Sequence, residues 1–131
     1  MSEISPLEIA HNFKLNVMKL IDFLIDILDS DSDLLAARLV VKMIPDKIAI
    51  ENFAHNAETH RNEIESSNES YFLDEDGGQH SLFSDFSESK VIKFKTFWKQ
   101  LSHDQHESIW KYFKYFLRLS DRYVDLINRN K

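Results

Sequence analysis

The chain has 131 residues but no cysteine, only two glycines and two prolines. Without cysteine it can form no disulfide, no thiol nucleophile and no cysteine-based zinc site, and this weakly favours a reducing compartment. So little glycine and proline leaves few residues for the many tight turns that an all-β fold requires. No apolar run approaches the roughly 18 residues of a membrane-spanning helix, so we expect no membrane association.

The remaining composition is that of an ordinary folded protein. Hydrophobic residues make up 43% of the chain and charged residues 29%, which argues against global disorder. A chain of this length buries roughly two-thirds of its unfolded surface, so we expect a single helical domain over residues 1–131. The N-terminal segment carries Glu3 and Glu8 and lacks a basic region, so it is not expected to be a signal peptide.

Charge is distributed unevenly along the chain. Residues 1–89 hold 6 Lys and Arg against 18 Asp and Glu, whereas residues 90–131 hold 10 against 4. This asymmetry has three interpretations: a solvated helix face, docking of basic helices on an acidic half, or a basic face offered to an acidic partner.

Apolar spacing and end signals predict helices along most of the chain. Ser5 can cap a first helix with Pro6 at its first position, and Pro45 must stop a second one. Ser102 and Gln105 can form a capping box at the start of the last helix. The predicted helices cover about residues 6–29, 30–44, 46–65, 88–101 and 102–128.

These signals predict an all-α fold, a compact bundle of about five helices with one long acidic loop. The loop, about residues 66–87, separates the third and fourth helices and contains both glycines. Its length exceeds that of ordinary connections, so we expect it to be mobile or to have a function.

The fifth predicted helix has an apolar arc of more than half its circumference, wider than an ordinary surface helix needs. Such a helix is either packed from several sides or supplies an interface. We predict an interaction surface for a protein partner or for self-association here. Its residues are Trp110, Tyr112, Tyr115, Leu119 and Leu126. In the alternative, this helix is the central one, and Trp110 is a core residue.

Clusters of possible metal ligands fail on spacing. Asp29, Asp31 and Asp33 alternate as in a calcium loop, but the required glycine is Leu34. The acidic run 74–76 departs from that pattern as well. His103, His106 and Glu107 share one helical turn in an order that matches no zinc motif, so the histidines are predicted to lie at the surface. His60, on an apolar stripe, is predicted to be a core or boundary residue.

Catalytic motifs are missing from the sequence. It has no G-x-S-x-G elbow and no glycine-rich phosphate loop. Its carboxylates fall on predicted helix exteriors or in the loop, away from the apolar pockets that tune a general acid or base. We therefore expect no enzyme, no catalytic residue, no cofactor and no bound metal.

Cations on the last helix define a possible basic face, formed by Lys111, Lys114, Arg118 and Arg122. Such a face could follow a phosphate backbone. However, the aromatic residues between the cations fall on the apolar side of the helix, where they form core and no base-stacking platform. Nucleic acid is therefore a possible but less favoured partner.

One stretch resembles a known family. Residues 97–102 read F-W-K-Q-L-S and residues 109–113 read I-W-K-Y-F. This is similar to a W-K-x-L-S and I-W-K-Y-L signature in small helical proteins of nucleocytoplasmic large DNA viruses. The chain departs from it at Phe113, where the family more often has leucine, and in an insert at 79–86. The resemblance implies a viral origin and a helical fold, and it carries over no catalytic residue.

These observations favour a non-enzymatic viral accessory or adaptor protein that acts through protein–protein contacts in the infected-host cytoplasm. One alternative is a minor virion component between capsid or core proteins. Another is a nucleic-acid-associated protein that uses the basic C-terminal helices.

Overall fold

Helices account for all the regular structure in a computed structural model that describes residues 4–29, 31–68 and 96–129. They are α1 (Pro6–Ile27), α2 (Ser32–Met43), α3 (Asp46–Glu65), α4, described over residues 96–100, and α5 (His103–Arg129). Since these ranges contain no strand, the predicted all-α fold is confirmed. The predicted acidic loop falls mainly on residues 69–95, outside the described residues. Within the described part, no helix is long and apolar enough to cross a bilayer.

The helix ends follow the chemistry expected of them. The Ser5 hydroxyl accepts a hydrogen bond from the Glu8 N–H at 3.1 Å, and Pro6 occupies the first turn. At the start of α5, the Ser102 hydroxyl accepts from the Gln105 N–H and the Gln105 side chain accepts from the Ser102 N–H. This reciprocal pair is the predicted capping box, and each bond satisfies a backbone donor that the first helical turn leaves unpaired.

The first helix ends slightly earlier than the apolar spacing predicts. Ile27 is its last residue, and the Leu28 N–H donates to the Leu24 carbonyl. Asp29 has a φ angle of 53°. This left-handed conformation is tolerated by Asp and commonly terminates helices.

The core lies between α1, α3 and α5, each of which packs on the other two, and α4 adds one tryptophan to it. α2 makes extensive contacts with α1 alone. The larger buried side chains of the core are Ile9, Phe13, Leu20, Ile50, Ile64, Trp98, Ile109, Trp110, Phe113, Phe116, Leu117 and Tyr123. More than a third of them come from α5, so α5 is the central helix of this bundle.

Phe116 is the hub of an aromatic cluster where the three core helices meet. Its ring centroid lies 5.2 Å from that of Phe13 on α1 and 5.8 Å from that of Phe53 on α3. Phe113 lies 5.5 Å away on the same helix. All three pairs are edge-to-face, an arrangement that the ring quadrupoles favour.

A second aromatic group closes the corner between α4 and α5. The Trp98 ring stacks on His106 with centroids 4.0 Å apart and meets Trp110 edge-on at 6.1 Å. The His106 Nε2 lies 2.6 Å from the Trp98 carbonyl oxygen and donates to it. Together with the Ser102 cap, these contacts fix the angle at which the chain enters α5.

Polar contacts join α3 to α5 along the edge of the core. The Arg61 guanidinium donates two hydrogen bonds to the Asp121 carboxylate, and this bonding raises the pKa of Arg61 further above its usual range. The Tyr123 hydroxyl donates to Glu51 Oε2 at 2.9 Å. Burial, aided by that carboxylate, raises the pKa of the Tyr123 phenol from 10.0 to about 12.

We expect Tyr123→Phe to weaken the fold at neutral pH and to alter its response to alkali. Loss of the hydrogen bond should cost about 0.5–1.5 kcal/mol. Because the folded pKa lies above the unfolded one, the contribution of Tyr123 to stability is complete below pH 10 and declines as the pH rises through 12. Urea unfolding from pH 8 to pH 12 should therefore show the wild type losing up to about 2–3 kcal/mol more than the variant over that range.

Tyr115→Phe is the control for this comparison, because Tyr115 lies at the surface beside Arg118 and is only partly buried. It should change the free energy of unfolding at neutral pH by no more than about 0.5 kcal/mol. Parallel curves for wild type and Tyr123→Phe would show that neither burial nor the Glu51 contact raises the pKa of Tyr123 in the folded protein.

His60 marks a break within α3. Its backbone angles, φ −117° and ψ 17°, are not helical, and its side chain is buried. This placement agrees with the predicted core or boundary histidine. The kink divides α3 between the turn that carries Ala57 and the turn that carries Ile64, both of which are core residues.

Candidate functional site

An apolar stripe on the outer face of α2 is the most exposed hydrophobic feature of the described chain. The exposed fractions are 44% for Leu35, 63% for Leu39, 58% for Val40 and 83% for Met43, and α2 has no buried residue. At about 100° per residue these side chains and Ala36 occupy one continuous face. Monomeric proteins rarely leave a large apolar patch uncovered, so the stripe is a candidate interaction surface.

Local sequence explains why α2 forms although it buries so little. Its N-cap is Asp31, whose carboxylate accepts from the N–H groups of Asp33 and Leu34. Pro45 ends the helix, as predicted, because a proline disfavours the helical conformation in the residue before it. Such ends stabilise a helix independently of tertiary packing.

Two contacts fix α2 along α1. The Lys14 ammonium donates to the backbone carbonyls of Lys42 and Ile44, each at 2.7 Å. Near the middle, the Arg38 Nε donates to the Asp22 carboxylate at 2.6 Å. The half-buried residues Leu34, Ala37, Arg38 and Val41 lie opposite the apolar stripe and form the inner face. α2 is therefore held in a defined orientation with its stripe directed to solvent.

A basic stripe on α5 is the second candidate surface. Lys111, Lys114, Arg118 and Arg122 fall within an arc of about 80° and extend over about 16 Å of helix. Three of them are exposed and Lys114 is half-buried, and none forms an ion pair with a described residue. The structure thus brings the four predicted cations onto one solvent-facing side of the helix.

The acidic residues near the basic stripe have other partners. Glu107 lies 3.6 Å from His103, and Asp125 lies 3.1 Å from Arg129. Asp121 is bonded to Arg61 of α3. None of these three carboxylates forms an ion pair with a stripe cation.

The predicted interaction residues of α5 are largely engaged in folding. Trp110 is 5% exposed and lies in the core. Tyr112, Leu119 and Leu126 are partly buried and pack against the core. Tyr115 is also partly buried, with the Arg118 guanidinium 5.7 Å from its ring centroid. The wide apolar arc is thus accounted for by contacts with both α1 and α3, and the interface predicted here stays a prediction.

Sequence reasoning missed the α2 stripe. A signal was present, because eight of the twelve residues of Ser32–Met43 are apolar and surround the helix. A helix that is apolar on all sides needs neighbours on several sides. In this fold α2 has one main neighbour, which the linear sequence does not reveal.

The candidate metal ligands do not assemble into a site in the described residues, where no three His, Asp or Glu side chains could share an ion. Asp31 is a helix cap, as predicted. His103 is exposed, but His106 stacks on Trp98, which corrects the prediction that both histidines are surface residues. Trp98 draws the imidazole inward because its ring and carbonyl face the first turn of α5.

A shallow depression lies along the C-terminal half of α1. It is lined by Lys19, Asp22, Phe23, Ile25 and Asp26 of this helix and by Asp29, which follows its end. One helix cannot enclose a small molecule, since ligand pockets bury most of the surface of what they bind. The depression therefore offers no basis for a catalytic proposal.

No family model matches the chain, and comparison with curated proteins and with solved structures found no similar protein.

Proposed function

We propose that the protein is a non-enzymatic adaptor that acts through protein–protein contacts, with the apolar stripe of α2 as a docking surface. The observation that carries this proposal is the exposure of four large apolar side chains on a helix that buries none. Partial burial of each such side chain in an interface contributes free energy in proportion to the apolar area removed from water. α2 is also capped and anchored, so little ordering of its backbone is required on binding.

A second copy of the chain is the partner that the α2 stripe fits. Leu35, Leu39 and Met43 are spaced four residues apart, so the row is symmetric about Leu39. A two-fold axis beside Leu39 places Leu35 of each copy near Met43 of the other. Symmetric dimers of this kind are the commonest homo-oligomers.

Charge and helix polarity favour the antiparallel arrangement of that dimer. Asp33 lies near the N-terminus of α2 and Lys42 near its C-terminus, and both side chains are exposed. Antiparallel packing brings the end that carries Asp33 close to the end that carries Lys42 of the other copy. It also opposes the helix dipoles, whereas parallel packing would join like charges at both ends.

The interface is small. Two helices of twelve residues meet over about 18 Å, less than a standard interface of roughly 1,600 Å² requires. We therefore expect a weak dimer that forms and dissociates readily. Weak self-association suits an adaptor. A dimer carries two copies of every other binding surface of the chain, and a weak dimer forms only when the concentration of the protein is high.

The resemblance to small proteins of large DNA viruses adds a setting to this proposal, the cytoplasm of an infected cell. A minor component of the virion is the alternative setting, in which the same stripe packs in a particle. Mass spectrometry of purified particles distinguishes the two. The stoichiometric presence of the protein in particles supports the virion component, and its absence supports the accessory protein.

Leu39→Glu tests the docking surface, because it puts a carboxylate at the centre of the stripe. Sedimentation velocity from about 1 µM to about 1 mM, the range of weak complexes, should show the wild type becoming dimeric. The variant should need at least tenfold more protein, since a buried unpaired charge is costly. Its unfolding free energy should stay within about 0.5 kcal/mol of wild type, as for most surface substitutions.

Leu7→Glu is the matched control, since Leu7 is an equally exposed leucine outside the stripe. It should dimerise like the wild type. Two results would contradict the proposal: a wild-type chain that is monomeric over the whole range, or a Leu39→Glu variant that unfolds. The second result would mean that the stripe is needed within the fold itself.

A further inference from the structure

The basic stripe of α5 carries an internal electrostatic cost. Lys114, Arg118 and Arg122 follow each other at intervals of four residues, so neighbouring cations face each other along the helix. Like charges at this spacing destabilise a helix by about 0.2–0.5 kcal/mol for each pair. No described carboxylate forms an ion pair with them: Asp121 and Asp125 are bonded to Arg61 and Arg129, and Glu107 lies 3.6 Å from His103. An anionic partner would remove this repulsion.

We propose that the basic stripe binds an acidic helical segment of another protein. The repeat distance is the first reason. Cations four residues apart on α5 recur about every 6 Å, the repeat of carboxylates four residues apart on a partner helix.

The surroundings of the stripe also favour carboxylates over a continuous phosphate backbone. Glu107 precedes the cations and Asp125 follows them on the same face, and Asp121 lies on one side, so a phosphate chain extending along the helix would pass close to these acids. A short acidic helix can contact the four cations and avoid the bordering acids.

The position of Tyr115 also favours an acidic helix over a nucleic acid as the partner. Its ring is the aromatic surface beside the stripe, and the Arg118 guanidinium lies 5.7 Å from its centroid. A base that stacked on this face of the ring would have to displace the guanidinium. Contact with the ring also restricts the guanidinium, so less side-chain freedom is lost when Arg118 donates to a carboxylate.

This inference goes beyond the proposed dimer, because it concerns a different helix and a different kind of contact. α2 packs on α1 and presents its apolar stripe to solvent, whereas the basic stripe faces solvent from α5. A variant of either stripe leaves the other unchanged. The two proposals can therefore fail separately.

The test uses a labelled alanine-rich peptide helix with three glutamates four residues apart, and fluorescence anisotropy with the full chain. We expect saturable binding that weakens as salt increases, and no binding of the matching glutamine peptide. The double variant Lys114→Glu, Arg118→Glu should bind at least tenfold more weakly. A peptide with lysine in place of glutamate should bind this variant and not the wild type.

Lys19→Glu with Lys47→Glu is the control pair, because it makes the same change in net charge at exposed positions outside the stripe. It should alter binding by less than about twofold. Equal weakening by both pairs would overturn the proposal, since binding would then depend on net charge alone. Tighter binding of a 20-base-pair DNA than of the glutamate peptide would overturn it in favour of nucleic acid. Failure of the lysine peptide to bind the reversed variant would also contradict it.

Discussion

Replacing Trp110 with alanine is expected to lower the free energy of unfolding by about 3–5 kcal/mol, the usual cost of truncating a buried tryptophan. The indole is almost fully buried and meets Trp98 edge-on across the α4–α5 corner. Its loss leaves a cavity between two helices whose relative angle depends on this contact. Urea unfolding followed by far-ultraviolet circular dichroism measures the effect.

Lys111→Ala is the control for that experiment, since Lys111 is the exposed neighbour of Trp110 on the same helix. We expect it to change stability by no more than about 0.5 kcal/mol. If Trp110→Ala were equally mild, the indole would not be part of the core.

Phe116→Ala should cost a similar amount, about 3–5 kcal/mol, because this ring joins all three core helices. Phe116→Leu should cost less, since it keeps most of the volume and loses only the edge-to-face geometry. The same urea titration measures both variants. Val124→Ala, at an exposed apolar position of α5, should have little effect.

A double-mutant cycle measures the interaction between two rings of the aromatic cluster around Phe116. Phe13 and Phe116 have ring centroids 5.2 Å apart. The variants Phe13→Leu and Phe116→Leu, singly and together, should give a coupling energy of about 0.5–1.5 kcal/mol. Additive losses would show that the two rings contribute separately, as simple apolar volume.

The sequence was sufficient to predict the helices because their signals are local. Ser5, Pro45 and Ser102 each act on a backbone within three or four residues of themselves, and each lies at a helix boundary in the structure. The all-α fold follows from several such signals and from the shortage of turn residues. None of these inferences depends on how the helices pack.

The candidate surfaces could be predicted only in part, because exposure depends on packing. The charge pattern was enough to place the four cations of α5 on one face. The apolar pattern was not enough to distinguish a central helix from an interface helix, so Trp110 was included among the interaction residues although it is buried. For α2 the same ambiguity concealed an exposed stripe. His106 was missed because its partner, Trp98, lies across a corner of the chain.

α2 packs mainly on α1, and this affects how easily the sequence of its exposed surface can change. A substitution at Leu39 or Met43 alters what α2 presents to solvent, while the core of α1, α3 and α5 keeps its contacts. Proteins tolerate few substitutions at residues that both stabilise the fold and bind a partner, because stability and recognition are then selected together. In this protein the core residues come from helices other than α2. The docking surface proposed for α2 is therefore free to diverge, or to be redesigned, without loss of the fold.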